Sequence, residues 1–247
     1  MTNWFDRLRF NDSMMYQTYV RLRYPQYWCQ KKNEYDFFKS LLDVAGNDLV
    51  FDIGANVGNK AIVFSKLAKI TVCGEPDPDA YAKLVSRFNK VARIKLENCG
   101  VGATQGQLAF NQLSNAGAYN TFSTKWAAKQ IESKEDAGPS TVHSSRLLEV
   151  RVTTLDALIK KYGTPNYVKI DVEGFEVEVI KGLHSVVRLI SIEANLPDFC
   201  SETMEALKLI NDLHSEYQFN LITSDTNFQF QHAWMKVNEM CDRVANG

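Results

Sequence analysis

An α/β fold, built on one open and mostly parallel sheet with an antiparallel edge, is predicted by three observations. Short apolar runs alternate with helically spaced segments, a glycine turn joins the first run to the first helix, and several runs end on an acid. The 247 residues are 45% hydrophobic and 23% charged, an ordinary globular composition that excludes disordered and fibrous classes.

Residues 1–30 are rich in aromatics and arginine (WFDRLRF, YQTYVRLRYPQYW). Such interleaving suits stacking on single-stranded nucleic acid, but a packed amphipathic helix needs no ligand. Residues 1–33 are therefore expected to form a helical, aromatic cap on a domain spanning 34–247. From Glu34, EYDFFKSLL has helical spacing, and LVFDI from Leu49 is an apolar run ending on an acid. GANVG turns the chain into NKAIVFSKLAK, again helical, and ITVCGE, DPDAYAKLVSRFNKV and IKLENCG repeat strand, helix and strand. This spacing means parallel strands joined by crossover helices.

From Gly106 to Val152 the alternation breaks, because Asn, Ser, Thr and Gly are frequent and ESKEDAGPS at 132–140 has loop composition. An insertion at about 111–150 is expected at the carboxyl edge of the sheet, where ligands bind. The alternation then resumes with YVKIDVE as a strand, GFEVEVIKGL as a helix, RLISIEA as a strand and SETMEALKLINDLHSEY as a long helix. QFNLITS and FQFQHAWMKV read as a closing hairpin around Asp225-Thr226-Asn227.

With 28 Lys and Arg against 29 Asp and Glu, the net charge is −1, which leaves no excess for a duplex nucleic acid or an acidic membrane. Five cysteines, at 29, 73, 99, 200 and 241, form no CxxC pair and read as reduced thiols. Trp4, Asp6, Arg7 and Arg9 interrupt the apolar stretch that a signal peptide needs, and no run approaches membrane-spanning length. A soluble cytoplasmic location is expected.

Asp52-Ile53-Gly54-Ala55-Asn56-Val57-Gly58 is the strongest local signal. Gly54 and Gly58 permit positive φ and close approach of a nucleotide-like ligand, and free N–H groups at the next helix end face the same place. Only GxxxG spacing is present, so the GxGxxG dinucleotide fingerprint and the GxxxxGK[ST] phosphate loop are both missing. Glu75 ends the second strand where a carboxylate can accept both hydroxyl hydrogens of an adenosine ribose. Asn98, ending the third strand, suits an adenine ring, and Asp52 suits a ligand amino group or the glycine loop itself.

DIGANVGN, EPDPDAYAKLVSRFN, VTTLDAL and VKIDVEGFEVEVIKGL, in that order, resemble the FkbM family of S-adenosylmethionine-dependent methyltransferases from about Glu34 to Glu193. The resemblance implies a class I methyltransferase (Rossmann-like) fold, with a seven-stranded sheet, one antiparallel strand and helices on both faces. It also implies cofactor contacts at Asp52, Gly54, Asn56, Gly58 and Glu75, and O-methylation of a hydroxyl on a sugar, glycan or natural product. In the insertion only NTFSTKW, at 120–126, has a similar counterpart.

Asp171 falls where the fourth parallel strand leaves the sheet, and is expected both to touch the cofactor and to act at its reacting end as the catalytic carboxylate. Asp171, Glu173, Glu176 and Glu193 could hold a divalent cation, but Glu173 and Glu176 equally suit a turn and a helix amino terminus, and no metal ligand set is assigned. Lys169 is an alternative base only if it points into the pocket, and His143, His184, His214 and His232 have no supporting spacing. Trp126, Tyr119 and Phe122 suit either a lid or a covered core edge. Two rival functions remain: a catalytically silent subunit that keeps the cofactor pocket, and an NAD-dependent dehydrogenase, which the missing glycine disfavours.

Overall fold

The computed structural model describes residues 14–113, 120–135, 146–222 and 228–246. The chain divides into two units, one of residues 1–41 and 220–233, the other of residues 42–219 and 234–247. Trp4, Asp6, Arg7, Arg9, Tyr119, His143 and the Asp225-Thr226-Asn227 turn lie outside the described residues.

The first unit contains α1 (Met14–Arg23) and most of α2 (Pro25–Ala45). Pro25 opens α2 at a position where its missing N–H costs no helical hydrogen bond. The Arg21 guanidinium lies 5.2 Å from the Trp28 ring centre, so part of the arginine and aromatic interleaving is satisfied within the chain. Phe37 and Phe38 pack against Phe228, with ring centres 5.7 and 5.8 Å apart.

The second unit is organised by β1 (Leu49–Ile53), β2 (Ile70–Gly74) and β3 (Ile94–Glu97), with α3 (Asn59–Leu67) and α4 (Pro78–Phe88) as crossovers. β4 (Gly100–Val101), β5 (Gly106–Gln112), α5 (Thr124–Glu135), β6 (Arg146–Thr153) and α6 (Leu155–Tyr162) come next. β7 (Tyr167–Ile170), α7 (Glu176–Lys181), β8 (Leu189–Ile192), α8 (Cys200–Leu213) and α9 (Val237–Asn246) complete the order. The main sheet has the order β3-β2-β1-β7-β8 and every pairing in it is parallel. Its direction of growth reverses between β1 and β7, the kind of switch point at which open α/β sheets bind ligands.

Every residue of β1 is buried, as expected of a central parallel strand covered on both faces. Ala61 of α3, Leu84 and Phe88 of α4, Cys73 and Ile94 form one apolar cluster with Ala55. Asp77 caps α4, its carboxylate accepting from the Asp79 N–H at 2.8 Å, and Pro78 occupies the first turn.

The sheet has five strands where the family resemblance implies seven. Among the described residues, the expected closing hairpin is reduced to one antiparallel bridge between Phe219 and Met235, and the last element is α9, which the sequence reading did not assign. The expected loop at 106–152 is in part a second, three-stranded sheet of order β4-β6-β5, with β5 and β6 antiparallel from Gly106 opposite Val152 to Gln112 opposite Arg146. Most of β5 is exposed, so burial imposes little alternation on its sequence.

Candidate functional site

The ends of β1, β2 and β7 are level, because Asp52 is registered with Cys73 on one side and Lys169 on the other. Their side chains and following turns therefore meet at one place. Asp52 is completely buried and its carboxylate oxygens accept no hydrogen bond; the Lys169 ammonium stands 3.7 Å away. Burial raises the Asp52 pKa, and Lys169 opposes that rise. Lys169 bonds Asp171 at 2.8 Å, and although burial works against its charge, Asp171 and Asp52 together hold it firmly protonated. Held in its charged form, Lys169 is poorly suited to accept a proton.

Glu75, also buried, is fixed by two backbone N–H groups: Asn56 donates to Oε2 at 2.7 Å and Asp77 to Oε1 at 2.8 Å. Asn56 reaches this position with φ at +48°, a left-handed conformation that asparagine tolerates. Burial pushes the Glu75 pKa up to about 8 against both hydrogen bonds. The Asn98 amide donates to the Glu75 carbonyl at 3.0 Å, so Asn98 steadies this strand end.

The glycine loop uses most of its own donors. Gly54 and Ala55 donate to the Gly74 carbonyl at 3.0 and 3.1 Å, and Gly58 donates to the Ala55 carbonyl at 2.8 Å. The free loop N–H groups that the sequence suggests are thus largely engaged within the fold. A Cβ on Gly54 (φ +78°) would lie 1.7 Å from the Asp171 carbonyl oxygen, so glycine here lets the β1 and β7 turns touch. A Cβ on Gly58 (φ +83°) would lie 2.4 Å from the Phe88 ring and 2.7 Å from Leu84, which directs the crowding into the core. Gly58→Ala is expected to destabilise the fold by about 2 to 4 kcal/mol through left-handed strain and overpacking. Chemical denaturation checks this, and an unshifted midpoint would contradict it.

At the other end of the crevice, carboxylate oxygens of Asp171, Glu173 and Glu193 lie within 4.8 Å of one another. Burial acts to raise Asp171, but the Lys169 charge and a hydrogen bond from Glu193 outweigh it and hold Asp171 below the ordinary carboxylate range. Burial and the Asp171 charge push Glu173 up to about 8. Glu193 is partly open to solvent, and partial desolvation together with the Asp171 charge raises it. Glu176 is buried and accepts from the Val172 and Gly174 N–H groups at 3.2 and 3.3 Å, so it holds the turn; burial raises it to about 7. The three clustered carboxylates are spaced to take one cation, and Lys169 already brings a positive charge to Asp171. Glu176, Ile192, Glu193, Asn195 and Phe199 line a small recess beside the cluster.

These carboxyls set the sign of a stability profile. Glu75 and Glu176 are protonated in the fold at pH values where the unfolded chain, near 4.5, has already released its protons. The unfolded state binds fewer protons in that window, so stability falls as pH rises from about 4.5 to about 8. Thermal melts of the ligand-free protein should show a lower midpoint at the alkaline end, and a rising midpoint would contradict the assignment.

Residues that the sequence left unassigned complete the site. Asn120 donates to Asp77 Oδ2 at 2.5 Å, and Gln112 donates to Asp77 Oδ1 at 3.0 Å and to Asp79 at 3.1 Å. Thr121 donates to the Glu173 carbonyl at 2.7 Å. Trp126 packs on Phe199 and Phe122 on Phe175, with ring centres 5.4 and 5.1 Å apart, which favours the covered-core reading of both. The NTFSTKW string was the signal for Asn120, Thr121, Phe122 and Trp126, and Gln112 had none. His184 pairs with Asp156, and the His214 ring nitrogen accepts from the Glu216 N–H.

A family model described as the methyltransferase FkbM domain matches residues 52–240. A hexuronic acid methyltransferase, AglP of Haloferax volcanii, is similar to the chain, with 22% identity over 206 residues, 80% of this chain and 76% of the relative. No solved structure matches. Among the described residues, no helix is long and apolar enough to cross a membrane.

Proposed function

Because the chain belongs to the FkbM methyltransferase family, we propose that it uses S-adenosylmethionine to methylate an oxygen of a carbohydrate or related small molecule. The reading rests above all on the arrangement at the switch point: a buried Asp52 whose oxygens accept no hydrogen bond, Glu75 held at the next strand end, and an ionised Asp171 facing the same crevice. These residues fit the cofactor. Glu75 retains lone pairs for two ribose hydroxyls, and Asp52 and Asp171 offer negative charge to an ammonium and a sulfonium. Asn56 and the glycine loop would wall the site between them, and Asn98 would border the adenine side.

The bound cofactor supplies an electrophilic methyl group on a sulfonium. The protein's part is to hold the acceptor oxygen in line at about 3 Å, a positioning effect worth on the order of 7 to 11 kcal/mol. Lys169 favours the ionised form of Asp171, while desolvation and the Asp171 charge favour the protonated forms of Glu173 and Glu193. That separation supports a proton-accepting and charge-stabilising role for Asp171. Similarity to a hexuronic acid methyltransferase supports a sugar acid as the first acceptor class to test.

Calorimetry with S-adenosylhomocysteine, then an acceptor screen over sugars and sugar acids that detects cofactor product, tests the reading. Saturable binding and acceptor-dependent turnover are expected. Binding without turnover on any acceptor would favour a silent subunit, and no binding would overturn the cofactor assignment.

A further inference from the structure

The two ends of the crevice are joined by a short segment that belongs to neither. At the ribose end, the carboxylate of Asp77 accepts from Gln112 and Asn120, while the Asp77 N–H donates to Glu75 at 2.8 Å. At the transfer end, Thr121 Oγ1 donates to the Glu173 carbonyl at 2.7 Å and accepts from the Ser123 N–H at 2.9 Å. Glu173 has φ at +53°, a conformation that a glutamate adopts only where its surroundings impose it.

Consecutive residues therefore grip opposite sides of the site. Asn120 and Thr121 are themselves anchored: the Leu113 N–H donates to Asn120 Oδ1 at 2.8 Å, and the Thr121 and Asn111 backbones exchange bonds of 3.0 and 2.8 Å. Gln112, Asn120 and Thr121 are all buried, so a lost partner would leave a polar group without water to replace it.

We propose that Gln112, Asn120 and Thr121 form a positioning brace that ties the ribose-holding carboxylate to the turn carrying Asp171 and Glu173, so that ordering one end orders the other. None of the three touches reacting atoms. They act through Asp77 and through the Glu173 backbone. The inference rests on the cofactor reading above, since only a ligand spanning both ends makes their coupling useful.

Adenosine separates brace from direct contact, because it carries the ribose hydroxyls that Glu75 would bind and lacks the amino-acid half that would reach residues 171–176. Hydrogen exchange on the full chain, with and without saturating adenosine, reads both ends. In the wild type, adenosine should slow exchange at 75–77 and, through the brace, at 172–174 by about fivefold to tenfold. In Thr121→Val, which keeps shape and loses the hydroxyl, protection should persist at 75–77 and vanish at 172–174. Thr121→Ser should restore it. Asn120→Ala should weaken adenosine binding about tenfold, the worth of one buried hydrogen bond. Protection confined to 75–77 in the wild type, or protection of 172–174 undiminished in folded Thr121→Val, would overturn the brace. If the wild type bound neither adenosine nor S-adenosylhomocysteine, the cofactor reading would fall, and the brace with it.

Discussion

Glu75→Ala is expected to weaken S-adenosylhomocysteine binding by roughly a hundredfold or more, since two charge-assisted hydrogen bonds at about 1.5 to 3 kcal/mol each are lost. The protein should remain folded, because the replacement also removes a carboxyl that burial penalises. A protonation effect sharpens the test. Glu75 titrates at about 8 in the ligand-free fold, and ribose hydroxyls donating to it favour the ionised form, so binding at neutral pH should release a proton. Calorimetry in two buffers of different ionisation enthalpy detects that proton. Unchanged affinity in folded Glu75→Ala would sink the assignment of this strand end.

Asp171→Asn should lower the methyl-transfer rate by about a hundredfold to ten-thousandfold, the usual range for a positioned acid–base group. Cofactor affinity should change far less. The amide oxygen can still accept from Lys169, so the variant preserves the local fold while losing charge and basicity. Single-turnover rates set beside S-adenosylhomocysteine affinity give the comparison. Wild-type transfer with an active acceptor would make Asp171 a turn residue.

Much of this was legible in the sequence because parallel strands leave strong marks. LVFDI and YVKI are short, wholly buried runs, and Asp52, near the end of the first, and Asp171, directly after the second, are placed at strand ends by simple counting. Glu75 was readable as the first acid beyond a strand, followed by a proline that stops it. The reasons for the glycines were less readable, since a turn motif reveals positive φ but not the direction of the missing Cβ; Gly54 faces the Asp171 carbonyl and Gly58 faces Phe88.

Long-range pairing was not readable at all. β5 finds its partner in β6 after a separation of more than thirty residues, and neither strand is buried enough to show clean alternation. The closing segments failed for the opposite reason. FQFQHAWMKV has strand composition, but among the described residues only Met235 forms a strand-type bridge, and the amphipathic VNEMCDRVAN is helical. The partners of Lys169 were hidden because a lysine within a buried strand gives no indication of which carboxylates surround it.

The antiparallel ladder of β5 and β6 has a consequence for changes of chain length. Seven residue pairs clamp the two ends of the intervening chain, and none of them belongs to the parallel sheet. A change of length within this excursion is therefore borne first by the ladder and not by the parallel strands whose ends Asp52, Glu75 and Asp171 mark. Under the proposed brace, Asn120 and Thr121 are the fixed points of that excursion, because their partners lie on Asp77 and on the Glu173 backbone.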